Sequence, residues 1–252
     1  MDFLKDLKQF THARIALRRA GHSLSTQEVL SFKLAHSKAK DNVWKDLDSE
    51  ALRAAFESFS YPLVDVQSRC QTKQEYLLRP DKGRELSPES FSKWEKLAQK
   101  TLPPDCLLVL ADGLSASALK THGISFTQAF FEGAKKRGFS LGPLVLARYS
   151  RVALGDVLGE TLKARSVLML IGERPGLASP ESLSVYFTYA PAASKTDAER
   201  NCISNIQERG LTPKAAAEMA LFLMEQSLKK QLSGVRLKVE YGGMALNSIQ
   251  VK

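Results

Sequence analysis

The sequence lacks the features that mark exported or membrane-spanning proteins. No apolar run approaches the roughly 20 residues that a helix needs to cross a bilayer. The first residues, MDFLKDLKQF, carry charges where a secretory signal needs an apolar stretch. The chain has only three cysteines, an odd number at wide spacings, and these form no disulfide framework. We therefore expect a soluble protein of the reducing cytoplasm.

Several familiar ligand and catalytic motifs are also missing. Gly155-Asp-Val-Leu-Gly159 has the wrong spacing for the dinucleotide fingerprint GxGxxG, and no GxxxxGK[ST] phosphate loop occurs. Ser115 stands in Asp-Gly-Leu-Ser-Ala, which is not the GxSxG turn of a hydrolase nucleophile. The four histidines lie far apart without an HExxH or CxxC companion. We therefore predict no metal site.

The charge balance is strongly positive, with 36 Lys and Arg residues against 27 Asp and Glu residues and a formal net charge of +9. Such a balance is typical of proteins that meet nucleic acid, acidic membranes or an acidic partner subunit. Here the basic residues form scattered pairs and triplets, which solvated helix faces also explain. No binding motif and no alternation of basic and aromatic residues occurs. We predict neither a nucleic-acid partner nor a membrane partner.

The pattern of the chain changes at Pro103-Pro104, which divides it into residues 1–102 and 103–252. The first region reads as helical, because Ser25 with Glu28 has capping-box spacing and Ser87-Pro88-Glu89 is a strong helix start. In the second region helical segments alternate with near-continuous apolar runs at 106–111, 144–147, 167–171 and 183–189. This alternation predicts an α/β fold, a doubly wound (Rossmann-like) and mostly parallel sheet, preceded by a helical N-terminal region.

Charged or flexible residues follow three of the predicted strands. The segments are Asp112-Gly-Leu-Ser115, Arg148-Tyr-Ser-Arg-Val152 and Gly172-Glu-Arg-Pro-Gly-Leu177. Ligands of open α/β sheets bind outside the carboxyl ends of the strands, so together these ends favour a binding crevice. Gly172 and Gly176 would let the backbone approach a ligand closely. Taken singly, Asp112 could instead cap the next helix, and Glu173 with Arg174 could be an exposed loop pair.

These segments resemble motifs of the ethanolamine ammonia-lyase small-subunit family. The matching segments are Leu78-Arg-Pro-Asp-Lys-Gly-Arg84, Ala111-Asp-Gly-Leu-Ser115, Arg148-Tyr-Ser-Arg-Val152, Gly172-Glu-Arg-Pro-Gly-Leu177, Glu181-Ser-Leu-Ser184 and Cys202-Ile-Ser-Asn205. The helical stretch 30–45 fits as well. Each segment alone is weak, but together they cover most of the chain in family-like order and spacing.

The resemblance implies the small subunit of an enzyme that holds adenosylcobalamin against a large barrel subunit. Family positions that contact the cofactor fall here on Val152, Glu173 and Cys202. The implied reaction converts ethanolamine into acetaldehyde and ammonia by radical chemistry that starts when the cobalt–carbon bond breaks. Substrate-binding residues belong to the large subunit, so no catalytic residue is predicted here. The resemblance also places region 1–102 against the large subunit and region 103–252 against the cobalamin.

Alternative readings of the residues remain open. The chain could be a stand-alone nucleotide- or cofactor-binding α/β enzyme, which would act or bind tightly by itself. A nucleic-acid-binding module would show an affinity that falls steeply with salt. Cys202 could be an inert buried thiol. Family members often carry an amino-terminal extension that directs them to a protein-shelled microcompartment, and the short segment before the helical region here favours the free cytoplasm.

Overall fold

The structure is a computed structural model that describes residues 6–7, 10–11, 13–56 and 62–237. The remaining parts of the two predicted regions, including 238–252, lie outside the described residues. In chain order the elements are β1 Arg19–Ala20, β2 Ser23–Leu24, α1 Thr26–Trp44, α2 Ser49–Phe56, β3 Leu63–Gln67, α3 Lys73–Leu78, α4 Pro88–Ala98, β4 Leu107–Ala111, α5 Ile124–Lys136, β5 Leu144–Arg148, α6 Leu154–Thr161, β6 Ser166–Gly172, β7 Leu183–Tyr189, β8 Arg200–Ile206 and α7 Pro213–Lys230.

A six-stranded sheet in the order β3-β5-β4-β6-β7-β8 forms the centre of the fold. The first four strands in this order are parallel, whereas β7 and β8 pair antiparallel. The α/β prediction is therefore confirmed, with a mixed sheet. The antiparallel part follows from the connections, because the segment between β6 and β7 is too short for the crossover helix that a parallel pair requires.

Two strands of the sheet were missed by the sequence patterns. β3 lies within the region that was predicted to be helical, and β8 lies in a polar stretch without an apolar run. An N-terminal region that is helical throughout is not confirmed, because β3 pairs with β5 and β1 pairs with β2. Both missed strands lie at the edges of the sheet, where burial of both faces is not needed and the apolar pattern weakens.

Helices cover both faces of the sheet, as the alternation of side chains along β4 shows. Leu108 packs among side chains of α5 and α7, whereas Val109 packs among side chains of α4 and α6 on the other face. Trp94 of α4 is fully buried, and its indole N–H donates to the carbonyl of Leu158 at 3.1 Å. A buried indole needs such a partner. The continuous apolar run of β4 is explained by burial on both sides.

The predicted helix starts are confirmed at the level of single hydrogen bonds. Ser25 and Ser87 each accept a backbone N–H, from Glu28 at 3.4 Å and from Ser90 at 3.2 Å. A glycine often ends a helix, so the sequence predicts a helix end at Gly123, and this prediction is wrong. The chain there forms a turn of π-helix, Leu119–Gly123, that runs directly into α5. Glycine is needed for packing, because a Cβ at this position would lie 2.8 Å from a methyl of Leu119.

Helix α1 is the least buried long element among the described residues. Its buried residues are Ala39 and Asn42, near its carboxyl end. Asn42 accepts a hydrogen bond from the Ser117 hydroxyl at 3.0 Å, which ties this end of α1 to the sheet. Leu30 and Leu34 are 61% and 58% exposed. None of the described helices combines the length and the apolar character that a bilayer span requires.

Candidate functional site

The carboxyl ends of β4 and β5 are joined through the buried carboxylate of Asp112. One of its oxygens accepts the N–H of Tyr149 at 2.8 Å, and the other accepts the N–H of Ser150 at 3.1 Å. Burial raises the pKa of the Asp112 carboxyl, while Lys73 and these N–H groups oppose the rise. The residue that caps the following helical turn is Ser115. Asp112 is therefore neither the helix cap nor an exposed ligand contact.

Lys73, the first residue of α3, extends its side chain to the loop after β4. Its side chain is buried, and its Nζ donates to the carbonyl of Gly113 at 3.0 Å. The ammonium also lies 5.1 Å from the centre of the Tyr76 ring. Burial lowers the pKa of Lys73, and the nearby Asp112 carboxylate opposes that change. The sequence patterns did not single out this residue, because a lysine in the first turn of a helix usually faces solvent.

Glycines allow the loops after β4 and β6 to touch. Gly113 has φ +52, and a Cβ there would lie 2.2 Å from the carbonyl oxygen of Gly172. In the other direction, a Cβ on Gly172 would lie 2.1 Å from the carbonyl oxygen of Ser115. The N–H of Leu114 donates to Gly172 at 2.9 Å. Gly172 is needed for this contact between the loops, and it also lines the cavity beside them, so its close approach to a ligand stays a prediction.

A cavity of about 140 Å³ opens beside these loops. Its walls include two of the residues predicted to contact the cofactor, Val152 after β5 and Glu173 after β6. Tyr186 of β7 lines the cavity as well, and its hydroxyl donates to the Glu173 carboxylate at 3.2 Å. Cys202, the third predicted residue, pairs directly with Tyr186 across the strands. The three predicted positions are thus connected through a tyrosine that the sequence did not indicate.

The cluster consists of two neutral groups, the Tyr186 phenol and the Cys202 thiol, beside the Glu173 carboxylate. Burial raises the pKa of the Tyr186 phenol, and the neighbouring Cys202 and Glu173 raise it further, so the hydroxyl stays protonated as a donor. Burial also raises the pKa of the Cys202 thiol, although its hydrogen bond with Tyr186 opposes this. A thiol with a raised pKa is a weak nucleophile. Cys202 as a whole residue is exposed, so the alternative of an inert buried thiol is wrong about its burial, whereas the partly desolvated sulfur with its raised pKa agrees with an inert thiol.

Arg151 is a further residue of the cavity that the sequence patterns passed over. Its guanidinium lies 4.3 Å from the centre of the Tyr76 ring, and one of its nitrogens donates to the Tyr76 carbonyl at 3.1 Å. Its Nε is buried and has no hydrogen-bond partner among the described residues. A buried donor without a partner is costly, and an acceptor on a ligand in the cavity would satisfy it.

The cavity therefore offers an unused cationic donor, one oriented carboxylate and an apolar wall to which Val152 and Ile171 contribute. Its described lining contains no serine, threonine, cysteine, lysine or histidine, and its one hydroxyl beside a carboxylate is that of Tyr186. Across the described residues, no group of three or more His, Cys, Asp or Glu side chains is placed to hold a metal ion. The fold and the cavity together define an α/β protein with a cavity at the strand ends of a mixed sheet, the place where open α/β sheets usually bind their ligands.

Comparison with known proteins identifies the family. The family model of the ethanolamine ammonia-lyase light chain matches residues 1–238 of this sequence. Curated relatives named ethanolamine ammonia-lyase small subunit include one from Ralstonia nicotianae, 44% identical over 233 residues, or 92% of this chain and 86% of the relative. Another, from Pseudomonas putida strain W619, is 44% identical over 236 residues, which cover 93% of this chain and 86% of that relative. One from Rhodopseudomonas palustris is 43% identical over 236 residues, which cover 93% of this chain and 89% of that relative. The chain belongs to the ethanolamine ammonia-lyase light-chain family, as its motifs predicted.

The contact between the two loops predicts the effect of one methyl group. We expect Gly172→Ala to lower the free energy of unfolding by about 3 kcal/mol or more, because the methyl would overlap backbone atoms that cannot move aside. Gly138→Ala is the control, since a Cβ there meets nothing within 4 Å although φ is +74. It should cost about 1 kcal/mol. Urea denaturation followed by circular dichroism measures both, and a Gly172→Ala protein as stable as the wild type would contradict the contact.

Proposed function

We propose that this chain is the small subunit of an ethanolamine ammonia-lyase, and that it acts with a large subunit and adenosylcobalamin to convert ethanolamine into acetaldehyde and ammonia. The observation that carries the proposal is the family match over residues 1–238. The relatives' name, small subunit, supports a larger partner. We keep the cytoplasm as the proposed location. The parallel strands with helices on both faces support a Rossmann-like, doubly wound description of residues 103–252.

The size of the cavity supports a site shared between subunits. Small-molecule sites usually occupy roughly 300–1,000 Å³, and a corrinoid is larger than most of their ligands. A cavity of about 140 Å³ can therefore hold only an edge of such a cofactor. The rest of the cofactor would need a second protein surface. An arrangement of this kind closes the reaction site from solvent when the two subunits meet.

The cavity residues fit the edge of a corrinoid, which carries amide side chains on an apolar ring. We assign Val152 and Ile171 to the ring edge, and Glu173 as an acceptor for amide N–H groups. Tyr186 holds the Glu173 carboxylate in place. Cys202 lies beside Tyr186 on the next strand. When bound, adenosylcobalamin supplies the radical chemistry, and the protein supplies binding and orientation. We assign no catalytic residue to this chain.

Reconstitution tests the proposal directly. The chain is mixed with its large subunit and adenosylcobalamin, acetaldehyde release from ethanolamine is measured, and each component is omitted in turn. We expect activity only when all three are present. Tight ligand binding or turnover by the chain alone would instead support a stand-alone α/β enzyme. Failure to form a complex with a large subunit that is active with another small subunit would contradict the proposal.

The role of Glu173 gives a second prediction. In the assembled complex we expect Glu173→Gln to weaken cobalamin binding about tenfold, the effect of losing one charge-assisted hydrogen bond. Tyr186→Phe should weaken it less, because only the orientation of the Glu173 carboxylate is lost. Glu208→Gln, an exposed change outside the cavity, is the control. Equilibrium titration of the corrinoid spectrum gives the affinities. Equal affinity of Glu173→Gln and the wild type would remove this side chain from the site.

We also propose that residues 1–102 pack on the large subunit, with α1 as the contact. Leu30 and Leu34 lie one turn apart on one face of α1 and are largely exposed. Trp44, at the carboxyl end of the same helix, is 49% exposed. Large apolar side chains grouped on a surface are typical of protein interfaces.

A charged substitution tests this contact. We expect the double variant Leu30→Asp, Leu34→Asp to weaken association with the large subunit at least about tenfold, because buried carboxylates without partners are costly. Stability of the chain alone should stay unchanged, since both side chains face solvent. Val235→Asp, at another exposed apolar residue, is the matched control. Size-exclusion chromatography at a series of concentrations measures association. Complex formation as tight as that of the wild type would exclude this face of α1.

A further inference from the structure

A second cavity, of about 440 Å³, adjoins the one that Val152 and Glu173 line. The two cavities share Leu114 and Arg151 in their walls. The far side of the second cavity is formed by α1, which contributes Lys40 and Trp44, and the near side includes Arg174 in the loop after β6. The two cavities are therefore direct neighbours, and a ligand larger than the first cavity would reach the second.

The second cavity carries an excess of positive charge. Lys40, Arg151 and Arg174 line it, and none of its described lining residues is a carboxylate. Within the described part of the chain these three cations form no salt bridge with a carboxylate. The carboxylate of the adjoining cavity, Glu173, accepts its hydrogen bond from Tyr186. Like charges around one space repel each other, and an anion placed between them relieves that repulsion.

The apolar side chains and the arginine donors of the second cavity indicate which kind of anion it would bind. Val43, Trp44 and Leu77 give the cavity an apolar side. Arg151 has a buried Nε that lacks a partner among the described residues, and Arg174 offers a second guanidinium. Guanidinium groups suit phosphate oxygens, to which they can donate in pairs. A phosphate ester meets both requirements, with the phosphate at the arginines and its organic part against Trp44.

We propose that this cavity binds the phosphodiester of the corrinoid, together with the ribose next to it, when the edge of the ring lies at Val152 and Glu173. The inference rests on the proposed function and deepens it. Cobalamin carries one phosphodiester, between a side chain of the ring and its benzimidazole nucleotide. A ring edge in the first cavity brings that group within reach of the second, because Arg151 belongs to both.

Corrinoids that differ only in this part test the inference. The complex of this chain with its large subunit is titrated with the cyano forms of cobalamin, cobinamide phosphate and cobinamide, the last of which lacks the phosphate. We expect the double variant Lys40→Gln, Arg174→Gln to weaken cobalamin and cobinamide phosphate about tenfold or more. Cobinamide should bind as it does to the wild type. Lys214→Gln, an exposed lysine of α7 outside both cavities, is the control and should change none of the affinities.

Other results overturn the inference in distinguishable ways. Equal weakening for all three corrinoids would mean that these cations support the fold or the ring rather than the phosphate. Unchanged affinities, with wild-type binding intact, would refute the phosphate site and leave the proposed function standing. Weaker subunit assembly with unchanged corrinoid affinities would assign the cavity to a carboxylate of the partner. Binding of inorganic phosphate that the variant loses, without a change for cobalamin, would assign it to free phosphate. No binding of cobalamin by the wild-type complex would end both proposals.

Discussion

The geometry of the site depends on a carboxylate that is buried at the end of the central strand. Asp112 accepts the N–H groups of Tyr149 and Ser150, which no neighbouring strand reaches once β5 has ended. A buried carboxylate is tolerated only with such partners, and buried backbone N–H groups equally need an acceptor. Because β4 lies between β5 and β6 in the sheet, this interaction and the contact of Gly113 with Gly172 set the positions of both neighbouring loops.

The loops held in this way carry the residues of the proposed cofactor site. Val152 follows β5 and Glu173 follows β6, and both face one cavity. The antiparallel strands β7 and β8 extend that edge with Tyr186 and Cys202. The second cavity adds α1 as an outer wall, so one element would meet both the corrinoid and the large subunit. This arrangement suits a subunit that binds and shields a cofactor, while the reacting substrate is held by a partner.

Sequence patterns predicted the interior of the sheet well and its edges poorly. Strands β4, β5 and β6 are buried on both faces and therefore read as continuous apolar runs. Edge strand β3 is short and partly exposed, and β8 has buried residues only at every third position, so neither stands out. At the site, the strand ends and the family motifs predicted Val152 and Glu173 as cofactor contacts. Tyr186 was missed, because an aromatic residue within an apolar strand has the pattern of a core residue.

By itself the sequence determined the types of the buried elements, the helix starts and the family of the chain. These depend on local periods, on caps within one turn, and on motifs of a few residues each. Only the tertiary structure decided that Asp112 would accept hydrogen bonds from N–H groups 37 and 38 residues further along the chain. The same is true of the hydrogen bond from the Lys73 ammonium to the carbonyl of Gly113. Partners so distant in sequence leave no local pattern, since strand order and the packing of loops bring them together.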